Sequence, residues 1–75
     1  MQIRVNLMGG LKKQSPEGNM LAVTEGASIN DALAALGLSA TQVQIVMHKG
    51  RPQPNRETTL ADGDEITVVP PVGGG

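Results

Sequence analysis

The sequence contains no cysteine, phenylalanine, tyrosine or tryptophan, and only one histidine. Without thiols there is no disulfide, no thiolate metal site and no side-chain sulfur nucleophile. Without aromatic rings there is no platform on which nucleic-acid bases stack. An excess of charge is missing too. Six basic residues (Arg4, Lys12, Lys13, Lys49, Arg51, Arg56) stand against seven acidic ones (Glu17, Glu25, Asp31, Glu57, Asp62, Asp64, Glu65), for a net charge of −1. They are scattered, so the basic stripe of a nucleic-acid-binding surface is absent. No apolar run approaches the roughly 20 residues that span a bilayer, and the first residues interleave polar with apolar instead of reading as a signal sequence. The expectation is a soluble cytoplasmic protein that engages neither nucleic acid nor membrane. The lone imidazole, His48, has no evident partner for a triad or a metal site, so no catalytic side chain and no bound metal are expected.

At 75 residues the chain forms one small domain, with a core too small to enclose a substrate pocket. Function is therefore expected on the surface or at an end.

The chain opens with Gln2-Ile3-Arg4-Val5-Asn6-Leu7-Met8, whose strict alternation predicts a half-buried strand. Met8 to Asn19 is rich in Gly, Pro, Ser and Asn and reads as a mobile loop. Its internal Gly9-Gly10 pair reads as turn geometry. Met20-Leu21-Ala22-Val23 predicts a second strand, antiparallel to the first. Ser28-x-x-Asp31 resembles a capping box, and Ile29, Ala32, Leu33 and Leu36 fall on one helical face that Gly37 ends. Such a short helix persists only when its stripe is packed on a sheet. Val43 to His48 is apolar at successive positions and predicts an inner strand buried on both faces. Lys49-Gly50 turns the chain, and Pro52 with Pro54 restricts Arg51 to Asn55 to an edge or a loop. The predicted core is Ile3, Val5, Leu7, Leu21, Val23, Ile29, Leu33, Leu36, Ile45, Leu60, Ile66 and Val68. Met8, Met20 and Met47 read as core filler, with Met8 the exception because it leaves a strand. Lys12, Lys13, Lys49 and Arg51 read as solvated surface. Pattern alone gives an α+β protein, one helix on one sheet.

The end of the chain organises the rest. Asp62-Gly63 supplies a turn, Ile66-Thr67-Val68 alternates as a strand, and Pro70-Pro71 ends it, since neither proline offers an N–H and both hold φ near about −65°. Gly73, Gly74 and Gly75 come last. They read either as a frayed end or as a reactive one: without Cβ atoms they suit a narrow channel in which another enzyme closes on the terminal carbonyl. From Val72 to Gly75 the chain reaches roughly 13 Å, at about 3.3–3.6 Å per residue.

The pattern Leu60-x-Asp62-Gly63-Asp64-Glu65-Ile66, followed by Pro70-Pro71-Val72-x-Gly74-Gly75, resembles the C-terminal half of the ubiquitin-like sulfur-carrier family. That family includes the small subunit of molybdopterin synthase (MoaD) and the thiamine-pathway sulfur carrier (ThiS). The resemblance covers nearly the whole chain in length and element order, with its motif in these last residues. It implies a β-grasp fold, one helix on a mixed sheet of four to five strands, with a domain over residues 1–72 and a flexible glycine tail over 73–75. It implies that Gly75 is adenylated by a ubiquitin-activating-like enzyme using ATP and converted to a thiocarboxylate. Pro70, Pro71, Gly73 and Gly74 would be needed to thread the tail. The implied partners are the activating enzyme, a sulfur-donor protein and a downstream synthase subunit. The protein itself would bind no cofactor and be a monomer when isolated. Because cysteine is absent, any sulfur it carries must sit on the backbone end. The sequence departs from the family pattern at Met8, where relatives carry an aromatic, at Lys49-Gly50, where they carry Asn-Gly, and at Gly73, often alanine. It therefore does not choose between the molybdenum (or tungsten) and thiamine pathways. Two alternatives use the same fold: a modifier conjugated to lysines through Gly75, and a β-grasp interaction domain with an inert tail.

Overall fold

The computed structural model describes residues 1–72. Five strands form one mixed sheet: β1 (Gln2–Leu7), β2 (Met20–Ala22), β3 (Ile45–His48), β4 (Arg51–Pro52) and β5 (Glu65–Val69), in the order β2-β1-β5-β3-β4. One helix, α1 (Ile29–Ala35), covers a face of it. This is the β-grasp arrangement, and its logic lies in β5. The last strand enters at the centre of the sheet, parallel to β1 (Val5 opposite Ile66, Leu7 opposite Val68) and antiparallel to β3 (Val46 opposite Val68, His48 opposite Ile66).

The period-2 alternation fixes which side chains face the helix. Ile3, Val5 and Leu7 from β1, Val46 and His48 from β3, and Ile66 and Val68 from β5 are all buried. The apolar ones meet Ile29, Ala32, Leu33 and Leu36 on the predicted helical stripe. The capping box is present as read. The Asp31 amide donates to Ser28 Oγ at 3.1 Å, and the Ser28 amide donates to the Asp31 carboxylate at 2.9 Å. Together these satisfy two donors that a helix start leaves open. Gly37 closes the helix at φ +77°, the left-handed position that a side chain resists.

Three expectations are corrected. The stretch after β1 is a folded segment, with 3₁₀ turns at Gly9–Gln14 and Glu17–Asn19. Leu11 is buried in the core, and the Gln14 side-chain amide donates to the carbonyls of Leu36 and Gly37, each at 3.2 Å. Those carbonyls lie at the open C-terminal end of α1, so the segment caps the helix it crosses. Next, β3 is buried on one face only. Val46 is 1% exposed and Ile45 40%, so Ile45 is no core residue; Val43 reaches the core from just before the strand. Helix α1 covers only one side of the sheet, and the even alternation of β3 then forces Ile45 outward. Finally, Leu21 and Val23 are half-buried rather than central, because β2 is a short outer strand.

Lys49-Gly50 joins β3 to β4 as a two-residue hairpin with both residues at positive φ (+55° and +77°), the turn that matches strand twist. Arg51–Pro52 is an edge strand, as its proline requires. Met8 is 43% exposed, while Met20 and Met47 are half-buried.

Candidate functional site

Two places in the fold bring polar chemistry or an exposed chain together, and they sit at opposite ends of β5. The first is the pair His48–Asp64, at the strand's start. His48 Nε2 lies 2.9 Å from Asp64 Oδ2, and the histidine is 8% exposed. A carboxylate only accepts, so Nε2 carries the hydrogen. The same Oδ2 accepts the Ala61 amide at 2.9 Å, and the Asp64 amide donates to the Ala61 carbonyl. The hydrogen bond from His48, then that from Ala61, holds the Asp64 carboxyl below its ordinary 3.8. His48 thus has the partner that its sequence surroundings do not announce. No spacing rule links residues sixteen apart across a hairpin and a loop; the strand register does, placing His48 opposite Ile66. The pair ties the Ala61–Asp64 turn to β3. Among the described residues no group of three potential metal ligands comes together.

The second place is the root of the tail. Strand β5 is gripped on both sides up to its last residue: the Met8 amide donates to the Val68 carbonyl at 3.0 Å, and the Gln44 amide donates to the Val69 carbonyl at 2.8 Å. Pro70 then ends the ladder because it has no N–H. Pro70 is half-buried, Pro71 exposed, and Val72 95% exposed. The three exposed large hydrophobics among the described residues gather toward this end: Met8 follows β1, Ile45 pairs with Val69, and Val72 ends the described chain. The strand therefore leads Pro71 and Val72 outward from a doubly paired base beside an apolar rim. Pro70 and Pro71 stand where the sequence places them. Gly73, Gly74 and Gly75, with the expected flexible tail, lie outside the described residues.

No described helix is long and apolar enough to cross a membrane. The broad hollow between β2 and α1, lined by Val23, Glu25 and Asp31 among others, is open to solvent.

A mixed five-stranded sheet with one helix across it and its last strand at the centre defines a small protein of the ubiquitin-like, β-grasp class. The chain belongs to the ThiS family: the sequence model of that family matches residues 5–75. Comparison with curated proteins returns no match. Among solved structures it is similar to SAMP1 from Haloferax volcanii, with a TM-score of 0.75, 24% identity and all of both chains covered. It is also similar to a crystal structure of the H. volcanii small archaeal modifier protein 1, with a TM-score of 0.73 and 22% identity over 95% of this chain and 98% of that one. At these identities the structural likeness speaks for the fold.

Proposed function

We propose that the protein is a sulfur carrier whose reactive group is the Gly75 carboxylate. The observation that carries this reading is the doubly anchored β5 leading through Pro70-Pro71 to an exposed Val72, in a chain whose family match runs through Gly75. A free carboxylate is a poor electrophile because its charge repels nucleophiles. A ubiquitin-activating-like enzyme removes that obstacle with ATP: a Gly75 oxygen attacks the α-phosphorus, pyrophosphate leaves, and an acyl adenylate forms. The terminal sulfur of a donor protein's persulfide then attacks the carbonyl and displaces AMP. A donor thiol next cleaves the resulting S–S bond, forming a disulfide on the donor and leaving the thiocarboxylate on Gly75. In a downstream synthase that sulfur is the nucleophile delivered to an intermediate of molybdopterin, tungstopterin or thiamine synthesis, with the tail's placement supplying proximity. The protein contributes no catalytic side chain and acts as the reagent that partner enzymes pass along. Pro70 and Pro71 aim the tail, and Gly73 and Gly74 let it thread.

A second reading is conjugation, toward which the name of the structurally similar archaeal modifier points. Its first step is the same activation, with a lysine amine taking the place of sulfur. Intact mass spectrometry of the protein isolated from its own cells distinguishes the two. A carrier shows a species heavier by the difference between one sulfur and one oxygen atom, whereas a modifier is recovered joined to whole proteins. Neither species, together with no activation by the cognate enzyme, leaves the interaction-domain reading.

A further inference from the structure

Gly9 lies beside the root of the tail, with Pro70 next to the position that its missing Cβ would take. Leu7 opposite Val68 is the last pair of the β1–β5 register, and two residues further along each chain Gly9 and Pro70 are neighbours. The last ladder bonds of β5 end on the Val68 and Val69 carbonyls, and Pro70 has no N–H with which to add another. Beyond that point, packing rather than hydrogen bonding must set the direction of the chain on the β1 side. Gly9 meets this with two properties at once. It sits at φ +55°, and a Cβ built on it in the L position would stand 3.1 Å from Pro70 Cγ and 3.8 Å from Cδ. The first distance is closer than the 3.4–4 Å of ordinary contact. Its neighbour Gly10 has neither property: nothing lies within 4 Å of its Cβ position, and its φ is not positive. The 3₁₀ turn that Gly9 opens is itself held down by buried Leu11, so the proline ring rests on a fixed surface.

Resting on the carrier reading above, we infer that Gly9 is a positioning residue for the tail, its bare Cα forming the seat that sets the direction in which Pro70-Pro71 sends the chain end to the activating enzyme. A methyl group at Gly9 displaces the ring by a few tenths of an ångström, and the stiff diproline carries the tilt outward. Reaction at the terminus requires atoms aligned within about 3–3.5 Å, so an aiming error shows in turnover rather than in docking of the domain.

The test measures pyrophosphate release by the cognate activating enzyme and ATP against carrier concentration, for the wild type, Gly9→Ala, Gly10→Ala and a chemically synthesised Gly9→D-Ala. A D-residue suits positive φ and turns its methyl to the opposite side of Cα, away from Pro70. We expect Gly9→Ala to lower kcat about tenfold with KM within about twofold. Gly9→D-Ala should recover most of the rate, and Gly10→Ala should match the wild type. Unfolding midpoints and the NMR contact between the Gly9 Hα and Pro70 Hγ protons are recorded in parallel. Turnover of Gly9→Ala equal to wild type overturns the inference and leaves the carrier reading standing, as does a D-alanine variant equally slow. If the wild type itself is not activated, the carrier reading fails. The seat is then judged by the NMR contact alone: its presence keeps Gly9 as the residue that aims Pro70, and its absence removes that role.

Discussion

Replacing Asp64 with alanine tests the polar anchor of the sheet. The carboxylate accepts two hydrogen bonds of 2.9 Å, from His48 Nε2 and from the Ala61 amide. His48 is 8% exposed, so its donor would be left nearly without water; an unsatisfied buried donor costs about 1–3 kcal/mol. The Ala61 amide is exposed and regains solvent, adding about 0.5 kcal/mol, the low end for one hydrogen bond. The expected loss at neutral pH is about 2–3 kcal/mol. Against the roughly 4–11 kcal/mol that a domain of 75 residues possesses, that is a large fraction. The pH dependence carries a sign of its own. The Asp64 carboxyl titrates below its ordinary 3.8 in the folded state, so near that pH the unfolded chain holds more protons than the folded one. Its stabilisation is thus full above about pH 4 and is lost as the pH falls through the lower folded value. Urea unfolding of wild type and Asp64→Ala at a series of pH values should show a gap that narrows as the pH falls below about 4. A gap under about 0.5 kcal/mol at neutral pH, typical of surface sites, would refute the claim that the pair anchors the turn to β3. A gap that widens in acid would show that the carboxylate is not stabilised in the folded state.

The packing sets three further outcomes. Leu33→Ala, on the buried stripe of α1, should cost about 2–5 kcal/mol by chemical denaturation, and a loss below about 0.5 would place the helix stripe on the wrong side. Lys49→Asn should stabilise by about 0.5 kcal/mol, because Lys49 is held at φ +55° in the hairpin turn and asparagine tolerates that region better; an unchanged or lower midpoint in thermal unfolding would count against the turn's conformation. Ile45→Thr should change stability by less than about 1 kcal/mol while Val46→Ala costs more, and a reversed order would put the wrong face of β3 on the core.

The residues that showed their role in the sequence are those whose local pattern coincides with their tertiary use. Ile3, Val5 and Leu7 alternate and are buried; Ser28 and Asp31 cap the helix they flank; Pro70 ends the strand that it must end. Where tertiary context decides, pattern alone misleads. Val43 to His48 is largely apolar, yet only one face of β3 meets the helix, so Ile45 is exposed. Met8 to Asn19 carries loop composition, but a single leucine, Leu11, and the Gln14 side chain suffice to fold it against the core and the end of α1. His48 lacked a visible partner because its partner comes from the register of β3 with β5, which no local spacing encodes. At the candidate site the strand-ending prolines were legible from chemistry that is entirely local. The nearness of Gly9 to Pro70 was not, since it needs the parallel alignment of the first strand with the last.

If Gly75 carries the reactive carboxylate, the full chain should behave differently from a Gly75 deletion and from a chain carrying one residue added after Gly75. Each is incubated with the cognate activating enzyme and ATP while pyrophosphate release is monitored, with unfolding curves to show that the fold is unchanged. One residue moves the terminus by about 3.3–3.6 Å, as large as the reach within which reacting atoms must lie, so both altered chains should lose adenylation and sulfur transfer. Gly73→Ala and Gly74→Ala should lower transfer while leaving the unfolding midpoint in place, since a methyl group there hinders threading through a narrow channel. Activation of the Gly75 deletion as fast as the full chain would rule out the carrier reading and leave an interaction domain in its place.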